Sequence, residues 1–386
     1  MCYERRVPEA ARPTVALDVT PLLGARTGIG NVVAECLAAF GGLEAAPTVV
    51  PYTLSLRARA MRDQLPETTR FVPIPARVLL AAWARADGPR IDRWLRPAQV
   101  VHATNYLAPA TTLPSLVSVY DCSFVRYPDL CSPEVRAMAP IIRRAIARGA
   151  TVHTTSEFVA EEIDDIFGPG LRRDARLVVV PLGVPAIGHE SEMPPHVGDR
   201  LDGAPVVLAI GTIEPRKNLP HLVTAFGAVA AGHPDVRLVV AGHDGPARPD
   251  LDAAIARLPP DARSRVVVAG PVSDKGRLAL LQRATLLAYP SIYEGFGFPV
   301  LEAMTARVPV VAARAGAIPE VAGDAALLVD PTDESQLAEA ITRVLTDDET
   351  RRELVARGRD RVRAFSWEDT ARGLTACYRR LASERR

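Results

Sequence analysis

The sequence predicts an α/β protein of two doubly wound domains, each a parallel sheet sandwiched between helices, with the two sheets facing each other across a cleft. Three observations predict it. The chain has 386 residues, too many for one ordinary domain and suited to two. Short apolar, β-branched runs alternate along its whole length with helix-length amphipathic stretches, the pattern of parallel strands buried on both faces. Residues 184–204 are rich in proline, glycine and scattered charge, a linker composition dividing the chain near its middle.

The expected strands of the first half are Thr14–Val19, Thr48–Tyr52, Gln99–His102, Leu116–Val119, Thr151–Thr154 and Leu177–Val180. Those of the second half are Pro205–Ile210, Val236–Ala241, Arg265–Ala269, Thr285–Tyr289, Val308–Ala312 and Ala326–Val329. This gives an N-terminal domain over residues 1–183, a linker over 184–204 and a C-terminal domain over 205–365. A last helix over 366–386 follows and packs back on the N-terminal domain. Ser366 is its N-cap, with Asp369 at the third helical position. In such sheets ligands lie beyond the carboxyl ends of the strands, so functional residues should follow strands directly.

Composition excludes several classes. Forty-six basic and 45 acidic residues leave a net charge of +1, so no global field calls for nucleic acid. Only Lys217 and Lys275 among the basic residues are lysines, which makes each lysine informative and most arginines unremarkable. Five cysteines without CxxC spacing, and seven histidines without a cluster, predict neither a disulfide framework nor a metal site and suit a reducing cytoplasm. The first 13 residues lack the apolar core of a secretory signal. The uncharged stretch 97–120 carries Pro97, Pro109 and Pro114, against a spanning helix.

Three segments carry chemistry. Gly24 to Gly30 imitates a dinucleotide-binding turn, but Gly24 is the fifth residue beyond the first strand, too far for the tight turn, and no Tyr-x-x-x-Lys pair exists. What remains is a glycine-rich loop at Gly28, Ile29 and Gly30 ahead of a helix over 31–40, read either as a turn or as amides facing an anion. Gly211-Thr-Ile-Glu-Pro-Arg216-Lys217-Asn218 puts adjacent guanidinium and ammonium groups at a strand's carboxyl end, suited to a diphosphate. Tyr289-Pro-Ser-Ile-Tyr-Glu294-Gly-Phe-Gly-Phe-Pro299-Val-Leu-Glu302 reads as a strand end, a glycine-rich turn and a helix start. Amides there would meet phosphate oxygens, while Glu294 and Glu302 would accept hydrogen bonds from hydroxyl groups.

These residues resemble the E-x7-E motif of the retaining, family-4 glycosyltransferases of the GT-B fold, which have two Rossmann-like domains. The resemblance continues through Gly316 to Pro331, the Glu-Pro-Arg-Lys-Asn segment, Asp18-Val-Thr-Pro21 with Thr27 to Gly30, Asp121 with Tyr127-Pro128, and Thr155 to Phe158. It implies that Arg216 and Lys217 grip the donor diphosphate, with Gly211 beside them. By the same resemblance Glu294 contacts the donor sugar and Glu302 the ribose. Gly295, Phe296, Gly297 and Phe298 hold phosphate and sugar, Gly28 to Gly30 close from the other domain, and Gly270 and Val272 flank the base. It implies a nucleotide-sugar donor, best matched to GDP-mannose, a glycan or lipid-linked acceptor, a hexosyltransferase activity in polysaccharide assembly, no cofactor and no obligatory metal. A nucleotide-sugar epimerase or hydrolase and a non-catalytic sugar-nucleotide-binding subunit are the alternatives.

Two positions depart from the family pattern. Tyr120 precedes Asp121 where a histidine is usual, and both are carried over as donor-binding residues. Arg307 stands where glycine is usual, so the backbone is expected to differ there. Asp250-Leu-Asp252 imitates a metal-binding DxD but reads better as a helix cap. The basic segments 77–96 and 134–148 fit two descriptions: an arginine-rich surface burying one apolar face, or helices docking on anionic lipid.

Overall fold

The computed structural model describes residues 12–24, 28–131, 133–184, 190–201 and 203–384, with backbone alone at 56, 57 and 134. The N-terminal sheet comprises β1 (Thr14–Asp18), β2 (Thr48–Thr53), β3 (Arg70–Phe71), β4 (Val100–Ala103), β5 (Ser115–Ser118), β6 (Thr151–Thr154) and β7 (Leu177–Val179) in the order β3-β2-β1-β4-β5-β6-β7. The C-terminal sheet comprises β8 (Val206–Ile210), β9 (Arg237–Ala241), β10 (Val266–Gly270), β11 (Leu286–Tyr289), β12 (Val310–Ala313) and β13 (Leu327–Val329) in the order β10-β9-β8-β11-β12-β13. Every pairing is parallel. The order reverses between β1 and β4 and between β8 and β11, and the crevice at such a switch point is where doubly wound sheets bind ligands.

The strands are apolar because both faces are covered. Val15, Ala16, Val100 and Val101 in one sheet, and Val206, Val207, Leu208 and Leu238 in the other, are fully buried. Each such valine or leucine contributes about 2 kcal/mol by leaving water. β3, which the apolar pattern did not reveal, is a two-residue edge strand.

Two chain segments that cross between the domains are packed down. The linker does not hang free: from residue 190 it docks on the C-terminal domain. There Val197 and Leu201 are buried, the His196 ring bonds the Ala269 carbonyl at 3.1 Å, and Lys275 pairs with Glu190 at 2.5 Å. The final helix, Trp367–Ser383, begins at Ser366, whose hydroxyl accepts the Asp369 amide at 3.0 Å. It lies against the helix Gly28–Gly42 of the N-terminal domain. Thr370 donates to the Pro181 carbonyl at 2.8 Å and Arg379 to that of Ala45 at 2.9 Å.

Two expectations are corrected, at Arg307 and at Asp250 with Asp252, while the basic segments bury an apolar face as one of their two descriptions has it. Arg307 keeps the left-handed backbone that glycine favours, with φ of +60°, at a cost of about 1–2 kcal/mol for a side-chain-bearing residue. Asp250 and Asp252 lie inside the helix Arg248–Arg257 rather than capping it, and Asp252 pairs with Arg248 at 2.9 Å. The basic segments break into shorter helices, Ala76–Trp83, Asp92–Leu95, Pro133–Arg136 and Met138–Ala147. Their apolar residues Leu79, Trp83, Leu95, Ile141 and Ile142 face the core. No helix among the described residues is long and apolar enough to cross a membrane.

Asp18, at the end of β1, gives the fold a pH dependence. Its Oδ1 accepts the Thr20 amide at 2.9 Å and the Thr20 hydroxyl at 2.5 Å, while Oδ2 is buried without a partner among the described residues. Burial pushes the carboxyl up to about 6, against the opposing pull of the Thr20 bonds. The unfolded chain releases this proton near pH 4 and the folded chain near pH 6. Stability therefore falls as pH rises through that window and levels above it. Asp18→Asn should remove the slope, so urea titrations at pH 4 and pH 7.5 should show the variant gaining about 2–3 kcal/mol on wild type between them.

Candidate active site

A cleft of about 550 Å³ separates the carboxyl ends of the two sheets. The C-terminal domain contributes Gly211 and Thr212 after β8, the turn Pro215–Lys217, Gly242 and His243 after β9, Pro271 and Val272 after β10, and Tyr289 at the end of β11. It also contributes the loop from Glu294 to Gly297 and the first residues of the helix Phe298–Thr305. Gly297 is left-handed, with φ of +104°, and a Cβ there would stand 2.5 Å from Ile318 Cδ1. Glycine at this N-cap, with Pro299 at the second helical position, aims the helix's free amides at the cleft. The opposite wall holds Tyr120 and Asp121, after β5, and the start of the helix Gly28–Gly42.

The floor is a buried ionic cluster. Lys217 Nζ donates to Glu294 Oε1 at 2.6 Å and to the Tyr289 hydroxyl at 2.7 Å. Arg216 Nη1 donates to Glu294 Oε2 at 2.8 Å, and its Nε to Glu214 at 2.9 Å. Burial alone would raise the Glu294 carboxyl, but Lys217 and then Arg216 outweigh it and hold the group down at about 2. Glu294 is therefore ionised at neutral pH. Each of its oxygens is taken, while Lys217 retains a third N–H and Arg216 the rest of its fork. An anion entering between these cations and the amides of the helix Phe298–Thr305 meets donors on two sides.

Glu302 lies one turn into that helix with its side chain 5% exposed. Its Oε1 accepts from Arg277 Nη1 at 2.9 Å, while Oε2 is buried and has no partner among the described residues. Burial pushes its carboxyl up, with the Arg277 guanidinium pulling the other way. A hydroxyl donor reaching Oε2 would relieve that orphan.

The two walls touch through the same loop. A Cβ on Gly295 would lie 1.8 Å from the Tyr120 carbonyl oxygen, so only glycine permits this approach. The Gly295 carbonyl accepts from the Ser156 hydroxyl at 3.0 Å and the Thr155 hydroxyl at 3.3 Å. Tyr293 donates to Glu162 at 2.5 Å and accepts the Cys122 amide at 2.7 Å. The Glu320 carboxylate accepts the amides of Glu157 and Phe158 at 2.9 and 3.1 Å, capping the helix Glu157–Phe167 across the domain boundary.

Of the residues singled out in the sequence, all but Gly30 and Gly270 line the cleft. Gly30 is buried in the first turn of the helix Gly28–Gly42, which starts three residues earlier than expected and takes in the glycine-rich segment. Thr27 lies outside the described residues. Gly270 ends β10 with φ of +68°. Arg277, Asp274 and Tyr289 also line the cleft without having been assigned to it from sequence: one more arginine is uninformative in this chain, and Tyr289 reads as the last residue of a strand. No group of three or more histidine, cysteine, aspartate or glutamate side chains among the described residues could hold a metal ion.

Comparison with known proteins places this architecture. Residues 196–361 match the model of the glycosyl transferases group 1 family. O-antigen chain mannosyltransferase B of Escherichia coli is 30% identical over 303 residues, covering 76% of this chain and 78% of that protein. The MMP alpha-(1->4)-mannosyltransferase of Mycolicibacterium hassiacum is 36% identical over 177 residues, covering 45% and 42%. Among solved structures, sucrose-phosphate synthase of Thermosynechococcus elongatus superposes with a TM-score of 0.68 at 22% identity over 97% of this chain and 100% of that one. HepE of Anabaena, solved with UDP and glucose, superposes with a TM-score of 0.68 at 16% identity over 95% and 99%. The chain therefore belongs to the group 1 glycosyl transferases and is a glycosyltransferase of the GT-B fold.

Proposed function

We propose that the protein is a retaining transferase of the family-4 kind that moves mannose from GDP-mannose to a glycan or lipid-linked acceptor. The observation that carries this reading is the Arg216–Lys217–Glu294 cluster facing a helix N-terminus in a cleft between two domains. Such a site stabilises a departing diphosphate by charge and position. In this reading Arg216 and Lys217 hold the diphosphate, joined by the amides from Gly295 to Phe298. Glu294 fixes both cations and faces the sugar, and Glu302 Oε2 takes a ribose hydroxyl. Val272 flanks the base, and the start of the helix Gly28–Gly42, with Tyr120 and Asp121, closes the site from the acceptor side. The leaving phosphate assists deprotonation of the acceptor hydroxyl on the same face of the sugar. The named relatives that are mannosyltransferases support mannose as the sugar. For a lipid-linked acceptor, exposed Arg77, Arg93 and Arg96 would meet the membrane by charge, since Leu79, Trp83 and Leu95 beside them are buried. Vesicle binding that survives about 1 M salt would contradict that contact.

The decisive experiment is ligand-observed NMR with GDP-mannose, UDP-glucose, UDP-N-acetylglucosamine and the free nucleotides, on wild type and Glu302→Gln. Expected is saturation transfer from GDP-mannose, weakened about tenfold in affinity by the substitution. For a 2′,3′-dideoxyribose analogue, wild type and variant should bind alike. Binding of none of the sugar nucleotides, or binding indifferent to Glu302, would overturn the donor assignment. An inverted anomeric centre in the transferred product would overturn retention.

A further inference from the structure

A second basic groove lies on the opposite end of the C-terminal sheet from the cleft. It sits where Thr285 and Pro309 lead into β11 and β12, and is walled by the helix Asp348–Arg361. The cleft is at the other, carboxyl ends of these strands, roughly 13 Å away at the least for four residues of strand. The groove has a volume of about 560 Å³ and is lined by Arg307, Arg351, Arg352 and Arg359, with no carboxylate among its lining residues.

On the walling helix Asp348 pairs with the groove residue Arg351, Glu353 with Arg357 at 3.3 Å and Asp360 with Arg363 at 3.0 Å, while Glu349 is exposed outside the groove lining and makes no ion pair among the described residues. Arg351 also donates to the Val344 and Leu345 carbonyls at 2.7 and 2.9 Å. Among the described residues, Arg307, Arg352 and Arg359 have no carboxylate partner and are exposed. Three guanidinium groups thus face one groove with their charge unneutralised.

In an arginine-rich chain a cluster of arginines carries little by itself. Arg307 differs from the rest because it holds a conformation that penalises it. Its φ of +60° is one that glycine adopts without strain. Yet its side chain makes no ion pair among the described residues and lies in the groove. A strained position that retains a side chain with no internal partner points to an external one. We propose that this groove binds a ligand carrying two or more phosphate groups, with Arg307 and Arg359 as anchors. Planar guanidinium forks match phosphate oxygens two at a time, and several uncompensated charges favour a multivalent anion over a single carboxylate. This goes beyond the reading of the cleft and does not depend on it.

Calorimetric titration of the full chain with inorganic pyrophosphate tests the proposal, comparing wild type with Arg307→Gly and Arg359→Ser. The cleft is unchanged in all three, so any difference reports the groove. Both variants should bind one pyrophosphate fewer than wild type, or bind it at least about tenfold more weakly at that site. Arg307→Gly should do so while melting about 2 °C higher, because strain is released. Loss of binding in a more stable protein excludes misfolding as the cause. A parallel arm uses vesicles of phosphatidylcholine with 30% phosphatidylglycerol. Weaker vesicle binding by both variants assigns the phosphates to lipid headgroups. Unchanged vesicle binding with lost pyrophosphate binding assigns them to a free ligand. Equal pyrophosphate stoichiometry and affinity in all three proteins would overturn the proposal.

Discussion

Lys217→Ala is expected to lower turnover by about a thousandfold, the order seen when one preorganised electrostatic group is removed from an active site, with the donor KM changed much less. The size of the effect follows from the geometry. Lys217 is the more deeply placed of the two cations, with a side-chain exposure of 10% against 30% for Arg216. A charge sheltered from water acts more strongly on a developing phosphate than an exposed one. Its loss has a second consequence, because Glu294 is buried and would keep Arg216 as its remaining cation. Removing one partner of a buried pair destabilises by about 3–5 kcal/mol, most of it the penalty on the charge left behind. Lys217→Ala should therefore melt lower than wild type, and Glu294 should titrate higher than its present value of about 2. The double variant Lys217→Ala/Glu294→Ala separates the two effects. It should regain much of the lost stability and none of the lost turnover, a strongly non-additive cycle. Turnover within about fivefold of wild type in the single variant would remove Lys217 from leaving-group stabilisation and shift that role to Arg216 and the loop amides.

What could be read in advance depends on whether the physics is local. Strands buried on both faces are apolar at almost every position, so twelve of the thirteen stand out as runs, and the exception is Arg70–Phe71, too short to form a pattern. The cleft residues set on strand ends and helix starts were legible for the same reason, since Pro299, Gly297 and the adjacent Arg216 and Lys217 signal local geometry. The start of the helix Gly28–Gly42 was misplaced because glycine is a poor helix former and the segment looks like a loop. There the packing of Gly30, Val32, Val33 and Cys36 into the core overrides propensity. Arg277 could not be found because its meaning lies in one contact with Glu302, 25 residues away in sequence. The bonds from Glu320 to Glu157 and Phe158 span more than 160 residues and leave no spacing to detect.

Those interdomain bonds carry the other large expected effect. Tyr293→Phe combined with Glu320→Ala should favour an open arrangement of the domains and lower turnover about tenfold or more, while free nucleotide binds nearly as in wild type. Tyr293 and Gly295 flank Glu294 on either side, and both are gripped by the N-terminal domain through Glu162, Cys122, Thr155 and Ser156. The loop that sets Glu294 is therefore positioned by both domains at once. Phenylalanine at 293 keeps the ring contacts with Tyr127 and Phe158, at 5.1 and 6.0 Å between centroids, and removes only the hydroxyl. Its hydrogen bond to a carboxylate is of the charge-assisted kind, worth about 1.5–3 kcal/mol. The Glu320 carboxylate at the N-terminus of the helix Glu157–Phe167 adds about 1 kcal/mol through the helix dipole and two amide bonds. Together these shift the closed-to-open ratio by roughly 10²-fold. Small-angle scattering reads the opening directly as a larger radius of gyration, and the kinetics should move kcat far more than donor KM. Arg216, Lys217, Glu294 and Glu302 all belong to the C-terminal domain and remain together when the domains part. An unchanged radius of gyration with unchanged kcat would mean that the linker, the final helix and the Thr155 and Ser156 bonds to Gly295 hold the domains closed without the Tyr293 hydroxyl and the Glu320 carboxylate.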